Sequence, residues 1–496
     1  MTSTPFQHTN SKNLTLLLAL GITLPVAFVI AKGGMLAGTG LMALPFLLFY
    51  LYLLFTFPKL GLYSCVAASF VMNGLGRYLT GLPLGLAIDG LLVLTWLAIL
   101  VKKNQKYDTN LLKNGLVVAN CVWMAYNILE IFNPESRSMV AWFYAMRGVA
   151  LYPLLAAPLA FLLIKSSQDV QRFINIWFGV SIIAALNGVK QLIFGVDPFE
   201  QAWLDAGAAT QHILFGKLRV FSFYSDAGQF GAAQAHAFVA ATVLAIQKGL
   251  PFKKKAFYIT TAVLCLYGMM ISGTRGAMAV PAVGFFAYFF MSKNFKIVGL
   301  GVISVVIVFC LLKFTSVGQG IYAINRMRTA LDPNDASLQV RIENQRKLSR
   351  YLKSRPFGGG VGSAGSWGQR FSPGSFLAET PTDSWYVRIW AEEGVIGLWL
   401  HLLILFYIAG HSGYFIWHMP VSELRQQMMA MWGGMLGIYL ASYGNGVLGQ
   451  MPTGMVLYVG MAMLFLIPQL NQKLEEKNEK SSPKARKKIQ NEINTF

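Results

Sequence analysis

Three short stretches of this sequence place charged residues beside long apolar runs. The charged residues in them are Arg275 in ISGTRGAMAV, Arg219 and Asp226 in LRVFSFYSDAG, and Asp383, Arg388 and Glu392 in DSWYVRIWAEEG. An arginine guanidinium presents a planar fork of donors that suits the oxygens of an anion such as a phosphate. A carboxylate can accept the proton of a hydroxyl that it contacts. These residue types therefore predict anion binding and proton transfer.

The composition shows which kind of chain must position these residues. Of the 496 residues, 55% are hydrophobic and only 12% are charged, which is not the composition of a soluble globular protein. Apolar runs of about 20 residues, the length of a membrane-crossing helix, recur along the chain. The sequence predicts an all-α polytopic membrane protein, with one membrane domain over residues 1–470 and a basic cytoplasmic tail over residues 471–496.

We expect about fourteen spans, and the distribution of basic residues sets their direction. If both termini lie in the cytoplasm, the short inner loops hold more lysine and arginine than the short outer loops, as the positive-inside rule requires. Arg275 then lies in a short turn at the outer face of the membrane. The expected spans are 14–31, 35–56, 60–75, 82–101, 111–131, 148–164, 173–194, 229–247, 256–272, 276–291, 297–314, 386–409, 426–445 and 453–470.

Two outer segments, 195–228 and roughly 315–385, are too long to be plain connectors and are the expected periplasmic loops. The longer one contains SLQVRIENQRKLSRYLKS, which predicts a short amphipathic helix with Ser337 as its N-cap and a basic face that touches solvent or lipid headgroups. RPFGGGVGSAG follows it. Its glycines could aim backbone amides at an anion or could form a flexible turn. The apolar face of the predicted amphipathic helix should comprise Leu338, Ile342, Gln345, Leu348 and Leu352.

The candidate residues also have purely structural interpretations. Arg275 could snorkel to lipid headgroups at the membrane interface. Asp226 could cap a turn, and Asp383 could cap the helix that follows it. Arg388 and the residue four positions later, Glu392, could form an ion pair along one helix.

The histidines and cysteines carry less information. His236 falls within an apolar run, and His212 is either an alternative base or, as the first expectation, a surface residue. The cysteines lie in apolar runs without metal-ligand spacing, so we expect neither a disulfide nor a metal site. The cysteines are Cys65, Cys121, Cys265 and Cys310.

The three stretches, in their order and spacing, resemble the O-antigen ligase and O-antigen polymerase superfamily of bacterial membrane glycan-transfer proteins. SGTRGA looks like the family's S-x-(S/T)-R-G-A turn, and LRVFSFYSDAGQFGA looks like its arginine and aromatic segment ahead of a span. DSWYVRIWAEEGVIGL looks like its H-N-x-Y-L-x-x-x-A-E-x-G-x-x-G-L stretch. The resemblance covers roughly residues 219–400.

The resemblance implies an inverting glycosyltransferase of the bacterial cytoplasmic (inner) membrane, with a periplasmic active site and a glycan on undecaprenyl diphosphate as its donor. Arg219 and Arg275 match the family's diphosphate-binding arginines. Ligases of the family carry a histidine where this chain has Asp383, followed by Ser384. Asp383 is therefore the expected base, and its presence favours a polymerase of O-antigen or exopolysaccharide over a ligase that transfers to lipid A core. The supporting residues would be Arg388, Glu392 and Asp226.

The expected partners follow from this chemistry. They are membrane lipid, the lipid-linked donor and a glycan or lipid A core acceptor, with a chain-length regulator or a flippase as candidate protein partners. No cofactor, metal or nucleic acid is expected. A transporter is the rival from another class, because many spans with polar residues such as Asp89 inside them are common among transporters.

Overall fold

The computed structural model describes residues 40–79, 84–102, 107–214, 216–293 and 336–481, together with scattered residues between 27 and 38 and between 299 and 328. These residues are almost entirely helical, which confirms the predicted all-α class. Within them the strands form one antiparallel hairpin, in which Ile213 pairs with Leu218 and Leu214 with Lys217. Its strands are β1 (Ile213–Leu214) and β2 (Lys217–Leu218).

Side-chain caps set the starts of several of the apolar helices before this hairpin. Asn114 accepts hydrogen bonds from the amides of Leu116 and Val117, and Ser166 accepts one from the amide of Asp169. The helices before the hairpin are α1 (Gly40–Thr56), α2 (Pro58–Tyr78), α3 (Gly85–Val101), α4 (Gly115–Leu129), α5 (Met139–Met146), α6 (Tyr152–Leu163), α7 (Ser167–Phe194), α8 (Pro198–Trp203) and α9 (Ala209–His212).

Several of the helices after the hairpin share one apolar core with α2, α6 and α7. Glycines let α12 and α17 approach each other closely: a Cβ on Gly433 would lie 2.8 Å from the carbonyl oxygen of Gly284. The helices after the hairpin are α10 (Ala227–Ala245), α11 (Phe252–Ile271), α12 (Ala279–Met291), α13 (Ala336–Leu352), α14 (Gly365–Phe371), α15 (Phe376–Glu379), α16 (Trp385–His418), α17 (Glu423–Ala441), α18 (Thr453–Phe465) and α19 (Ile467–Ser481).

Four helical stretches in the described part of the chain are long and apolar enough to cross a membrane. A fifth is added if Thr453–Phe465 and Ile467–Glu476, which are bent by 57° relative to each other, count as one span. The membrane class is supported, and the count of about fourteen spans stays a prediction. Most of the expected spans 14–31 and 297–314 lies outside the described residues. The four stretches are Gly115–Phe132, Met139–Leu163, Ser167–Phe194 and Trp385–His418.

The helices run back and forth between two ends of the bundle. At one end, which we call the cavity end, the amide of Trp385 at the start of α16 donates to the carbonyl of Ser442 after α17, at 3.0 Å. At the opposite end, Lys59 at the start of α2 forms an ion pair of 2.7 Å with Asp169 at the start of α7. The candidate residues all belong to the cavity end, because they lie in the connections that meet there or near the start of α16.

Candidate active site

A cavity of about 780 Å³ at the cavity end brings the three charged stretches together. The fold therefore assembles into one site segments that are spread along the sequence from Arg219 to Arg388. Of the six predicted site residues, Glu392 alone is absent from the wall. The predicted residues that line it are Arg219, Asp226, Arg275, Asp383 and Arg388.

Arg275 begins a 3-10 turn, Arg275–Met278, that joins α11 to α12. The hydroxyl of Ser272 donates to the carbonyl of Met269 at 2.7 Å and accepts from the amide of Thr274 at 3.1 Å, which tightens the end of α11. This turn lies directly on α10, because a Cβ on Gly231 would clash with the Ser272 hydroxyl. Arg275 is therefore carried by a restrained turn rather than by a long loop.

Arg219 is connected to that turn by one hydroxyl. Its Nη2 donates to Thr274 Oγ1 at 3.1 Å, and the same Oγ1 donates to the carbonyl of Ala227 at 2.9 Å. Its Nη1 donates to the carbonyl of Gln211 at 3.1 Å. The two arginines predicted to bind an anion thus lie in one wall of the cavity, with Thr274, the residue before Arg275, between them.

The segment from Arg219 to Asp226 is shaped by a buried arginine that the sequence analysis missed. Arg77, at the end of α2, donates to the carbonyls of Ser222 and Tyr224, and its guanidinium lies 4.2 Å from the ring centre of Trp203. The Arg77 guanidinium is therefore buried and holds the backbone of this segment in place. The sequence signal for Arg77 is its position as a basic residue just past the end of the expected span 60–75.

Asp226 is the N-cap of α10, so its structural interpretation is confirmed. Its Oδ1 accepts from the amide of Gln229 at 2.9 Å, and its Oδ2 accepts from the hydroxyl of Ser225 at 3.0 Å. Both carboxylate oxygens therefore have partners in the protein, although the residue also lines the cavity. This arrangement supports a structural contribution to the wall more than a chemical one.

Asp383 is not the N-cap of α16, so that interpretation of it is wrong. Ser384 is the cap and accepts from the amide of Val387. The carboxylate of Asp383 is left on the cavity wall, with 48% of its side chain exposed and its Oδ2 3.6 Å from Nε of Arg341. A carboxylate placed in this way can contact a hydroxyl that enters the cavity.

Arg388 and Glu392 form the predicted ion pair, with Nε 3.2 Å from Oε1. Glu392 is fully buried, and its Oε1 also accepts from the amide of Ala364 at 3.2 Å. It therefore stands behind the cavity wall and orients Arg388, which lines the cavity.

In the glycine-rich loop before α14, two backbone amides bind carbonyls of α16 instead of pointing at an anion. The loop is therefore attached to that helix and is not a free turn. The amides of Gly359 and Gly360 donate to the carbonyls of Ala391 and Glu392, at 2.9 and 2.8 Å. Those carbonyls lie just before Gly394, where α16 is interrupted with φ of 68°. A break in a helix leaves carbonyls without partners, and the loop can approach them because Gly358 has no side chain: a Cβ there would lie 2.6 Å from the carbonyl oxygen of Glu392.

Helix α13 forms as predicted but begins at Ala336, so the expected N-cap Ser337 lies inside it. Its inner face buries Leu348 and Leu352 against α16 and its neighbours. This docking carries Arg341 to the cavity wall beside Asp383, a role that its position in an amphipathic pattern did not indicate.

His212 is buried at 3% exposure, so the expectation of a surface residue is wrong. Its ring lies 4.9 Å from the ring of Trp203 and 5.1 Å from that of Phe221, and its Nδ1 is 2.9 Å from the carbonyl of Ala208. Burial lowers the pKa of His212 below its usual value of 6.5. His236 is a buried residue of α10, as expected.

Comparison with known proteins gives a family match for part of the chain. No curated protein matches it. Residues 260–402 match the family model described as O-antigen ligase, a region that contains Arg275, Arg341, Asp383 and Arg388, while Arg219 lies outside it. The match covers less than a third of the chain, and over residues 260–402 it confirms the resemblance to the O-antigen ligase and O-antigen polymerase superfamily.

Proposed function

We propose that this protein transfers a glycan from an undecaprenyl-diphosphate donor to a sugar hydroxyl and so polymerises O-antigen or exopolysaccharide repeat units. The observation that carries the proposal is one cavity that collects four arginines and an exposed carboxylate, Asp383. A departing diphosphate needs fixed positive charge, and an attacking hydroxyl needs a proton acceptor. The arginines are Arg219, Arg275, Arg341 and Arg388.

The reaction assigns a separate task to each group. The acceptor oxygen bonds to the anomeric carbon as the bond from that carbon to the diphosphate oxygen breaks. The acceptor proton passes to Asp383, and the lipid diphosphate leaves with the bonding electron pair. Arg219 and Arg275 hold the negative charge that develops on it. Displacement in one step inverts the anomeric centre and needs no covalent enzyme intermediate.

The hydrogen bonds around the arginines support this assignment. Thr274 contacts Arg219 and precedes Arg275, and Glu392 orients Arg388 from inside the protein. Groups that are already in position do not have to be reorganised during the reaction, which is the main source of electrostatic catalysis. A lipid headgroup contact alone would not require such restraint.

The distribution of lysines supports a periplasmic active site and cytoplasmic termini. The end opposite the cavity carries lysines near the ends of several helices, as the positive-inside rule expects for the cytoplasmic side. The cavity would then open at the outer face, where the isoprenoid tail of the donor can remain in lipid. These lysines include Lys59, Lys102, Lys165, Lys254 and Lys293.

A ligase that transfers the glycan to lipid A core is the second candidate. The description of the matched family, O-antigen ligase, favours it. Asp383 favours the polymerase, because the ligases that the chain resembles have a histidine at this position. The two activities share a donor and a leaving group, so they differ in the acceptor.

A transporter is less well supported. Asp89, the polar residue that favoured it, forms an ion pair with Arg147, whose Nη2 also donates to the carbonyl of Gly85 and the hydroxyl of Tyr152, both at 3.0 Å. Asp89 is therefore used in packing α3 against the start of α6.

Product analysis tests the proposal. The purified protein receives a short undecaprenyl-diphosphate glycan as its sole substrate, and mass spectrometry follows the products of the native chain, Asp383→Asn and Arg275→Ala. Arg346→Ala is the matched control, because Arg346 lies on α13 with 69% of its side chain exposed. We expect a ladder of longer lipid-linked glycans from the native chain and the control, and its loss in both site variants.

The other outcomes separate the alternatives. Transfer that requires added lipid A core would identify a ligase. A native chain that forms no glycosidic bond with either acceptor would contradict the enzyme and favour the transporter. A ladder that survives in Asp383→Asn would remove Asp383 as the base while leaving the reaction in place.

A further inference from the structure

The segment between α17 and α18 reaches the cavity although it lies outside the region that matches the family model. Within it, Asn445 lines the cavity. Its Nδ2 is buried from solvent and has no hydrogen-bond partner among the residues that the structure describes. Buried amide groups are normally hydrogen-bonded, so a donor kept in this state calls for a partner from outside the protein.

Two glycines leave room for the Asn445 side chain at the cavity wall. A Cβ on Gly276 would lie 2.6 Å from Asn445 Nδ2, and a Cβ on Gly228 would lie 3.3 Å from its Oδ1. Gly276 directly follows Arg275, and Gly228 is two residues after Asp226. The carboxamide is thus inserted between the two stretches that predict anion binding, and a larger residue at Gly276 would displace it.

The backbone around Asn445 is held on both sides. The amides of Gly444 and Asn445 donate to the carbonyl of Ala441, at 3.0 and 3.1 Å. Farther along the segment, Nε2 of Gln229 donates to the carbonyl of Gln450 at 3.1 Å. A donor on such a backbone is positioned before any ligand arrives.

We propose that Asn445 is a substrate-binding residue whose Nδ2 donates to a diphosphate oxygen of the lipid-linked donor, beside the guanidinium of Arg275. This inference rests on the proposed function. The amide adds a directed hydrogen bond without adding charge, and it faces the oxygens on which charge develops as the glycan leaves. It would contribute both to binding the diphosphate and to stabilising it as the leaving group.

The test compares the native chain with Asn445→Ala and the nearly isosteric Asn445→Asp. Inorganic diphosphate is titrated into each purified protein by calorimetry, and transfer from the lipid-linked donor is measured separately. Asn120→Ala is the matched control, because Asn120 is also a buried asparagine, with its Nδ2 donating to the carbonyl of Pro153 at 3.2 Å, away from the cavity. Thermal unfolding verifies that each variant folds.

We expect the transfer rate of Asn445→Ala to fall by about 10²-fold, the loss typical of one oxyanion donor, and its diphosphate affinity to fall as well. Asn445→Asp should bind diphosphate more weakly still, because it places a carboxylate against the anion. Asn120→Ala should bind diphosphate as the native chain does.

Three results would overturn the inference. If the native chain binds diphosphate and folded Asn445→Ala binds it equally well, Asn445 is not a ligand and the proposed function stands. If Asn445→Asp keeps full affinity, the amide does not act as a donor to the anion. If the native chain neither binds diphosphate nor transfers glycan, the proposed function fails and the inference fails with it.

Discussion

Arg147 and Arg275 are both isolated arginines in apolar sequence, yet the structure places them in different surroundings. Arg147 lies between α5 and α6, buried at 8% exposure, where Asp89 and two other groups from the protein take up its donors. Arg275 lies on a restrained turn in the wall of a large cavity. Arg147 therefore serves packing, whereas Arg275 has the surroundings of the substrate-binding residue that we propose, and these surroundings, rather than the rarity of arginine, distinguish the two.

Removing each guanidinium in turn tests most directly whether the two arginines have different roles. We expect Arg275→Ala to lower kcat/KM for glycan transfer by about 10²–10³-fold with little change in Tm, because it removes charge from the leaving group. Transfer assays and thermal unfolding of the purified protein measure the two quantities.

Arg147→Ala should show the reverse pattern. It leaves Asp89 without its partner and should lower the free energy of unfolding by about 1–3 kcal/mol, while the folded fraction keeps its transfer rate. Equal losses of activity and stability in both variants would mean that the two arginines do not differ in kind.

Arg275→Lys sharpens the comparison further. Lysine keeps the charge but lacks the planar fork that binds two phosphate oxygens at once, so we expect a loss of transfer of about 10-fold, between those of the native chain and Arg275→Ala. Full activity in a well-expressed lysine variant would contradict a bidentate contact, and the same assay measures it.

Gly231→Ala tests whether the restraint on the turn matters. The added methyl group would clash with the hydroxyl of Ser272 and push the Arg275 turn away from α10. We expect transfer to fall by about threefold to 10-fold, since small displacements at a catalytic site are costly. Gly179→Ala is the matched control, because a Cβ there meets no neighbouring atom.

The smallest effect concerns the pH dependence of stability. Burial lowers the folded-state pKa of His212, so the folded state accommodates the neutral ring better than the charged one. The resulting contribution to the free energy of unfolding is fully present above the unfolded pKa of about 6.5. As the pH falls below 6.5 toward the lower folded-state pKa, the contribution is lost by at most about 1.4 kcal/mol per pH unit. A His212→Gln variant should lose less stability over this range in pH-dependent denaturation, and an unchanged slope would contradict it.

The sequence predicts well which residues line the cavity where chemistry and local structure coincide. Arg275, Asp226 and the pair of Arg388 and Glu392 were identified because each lies at the end of an apolar run, where turns and caps leave local signals. The same local reasoning misplaced the cap of α16 by one residue, since Asp383 and Ser384 are both good capping residues.

The remaining site residues depend on contacts that have no local signal. Arg341 reaches the cavity because α13 docks through Leu348, and Asn445 reaches it because two glycines from other segments make room. The pattern of a helix predicts which of its faces is apolar but not which partner covers it. For the same reason, the glycine-rich loop could not be assigned to the break in α16 from its composition.

The hydroxyl of Thr274 has a consequence for any change in the donor that we propose for this protein. Because it accepts from Arg219 and donates to the carbonyl of Ala227, the first stretch and the Arg275 turn share one anchor point. A change that moves Arg219 or Arg275 to suit a different leaving group will therefore also move the other arginine. Evolution or an engineer would have to alter both stretches together, so donor chemistry in this protein should change more slowly than acceptor choice.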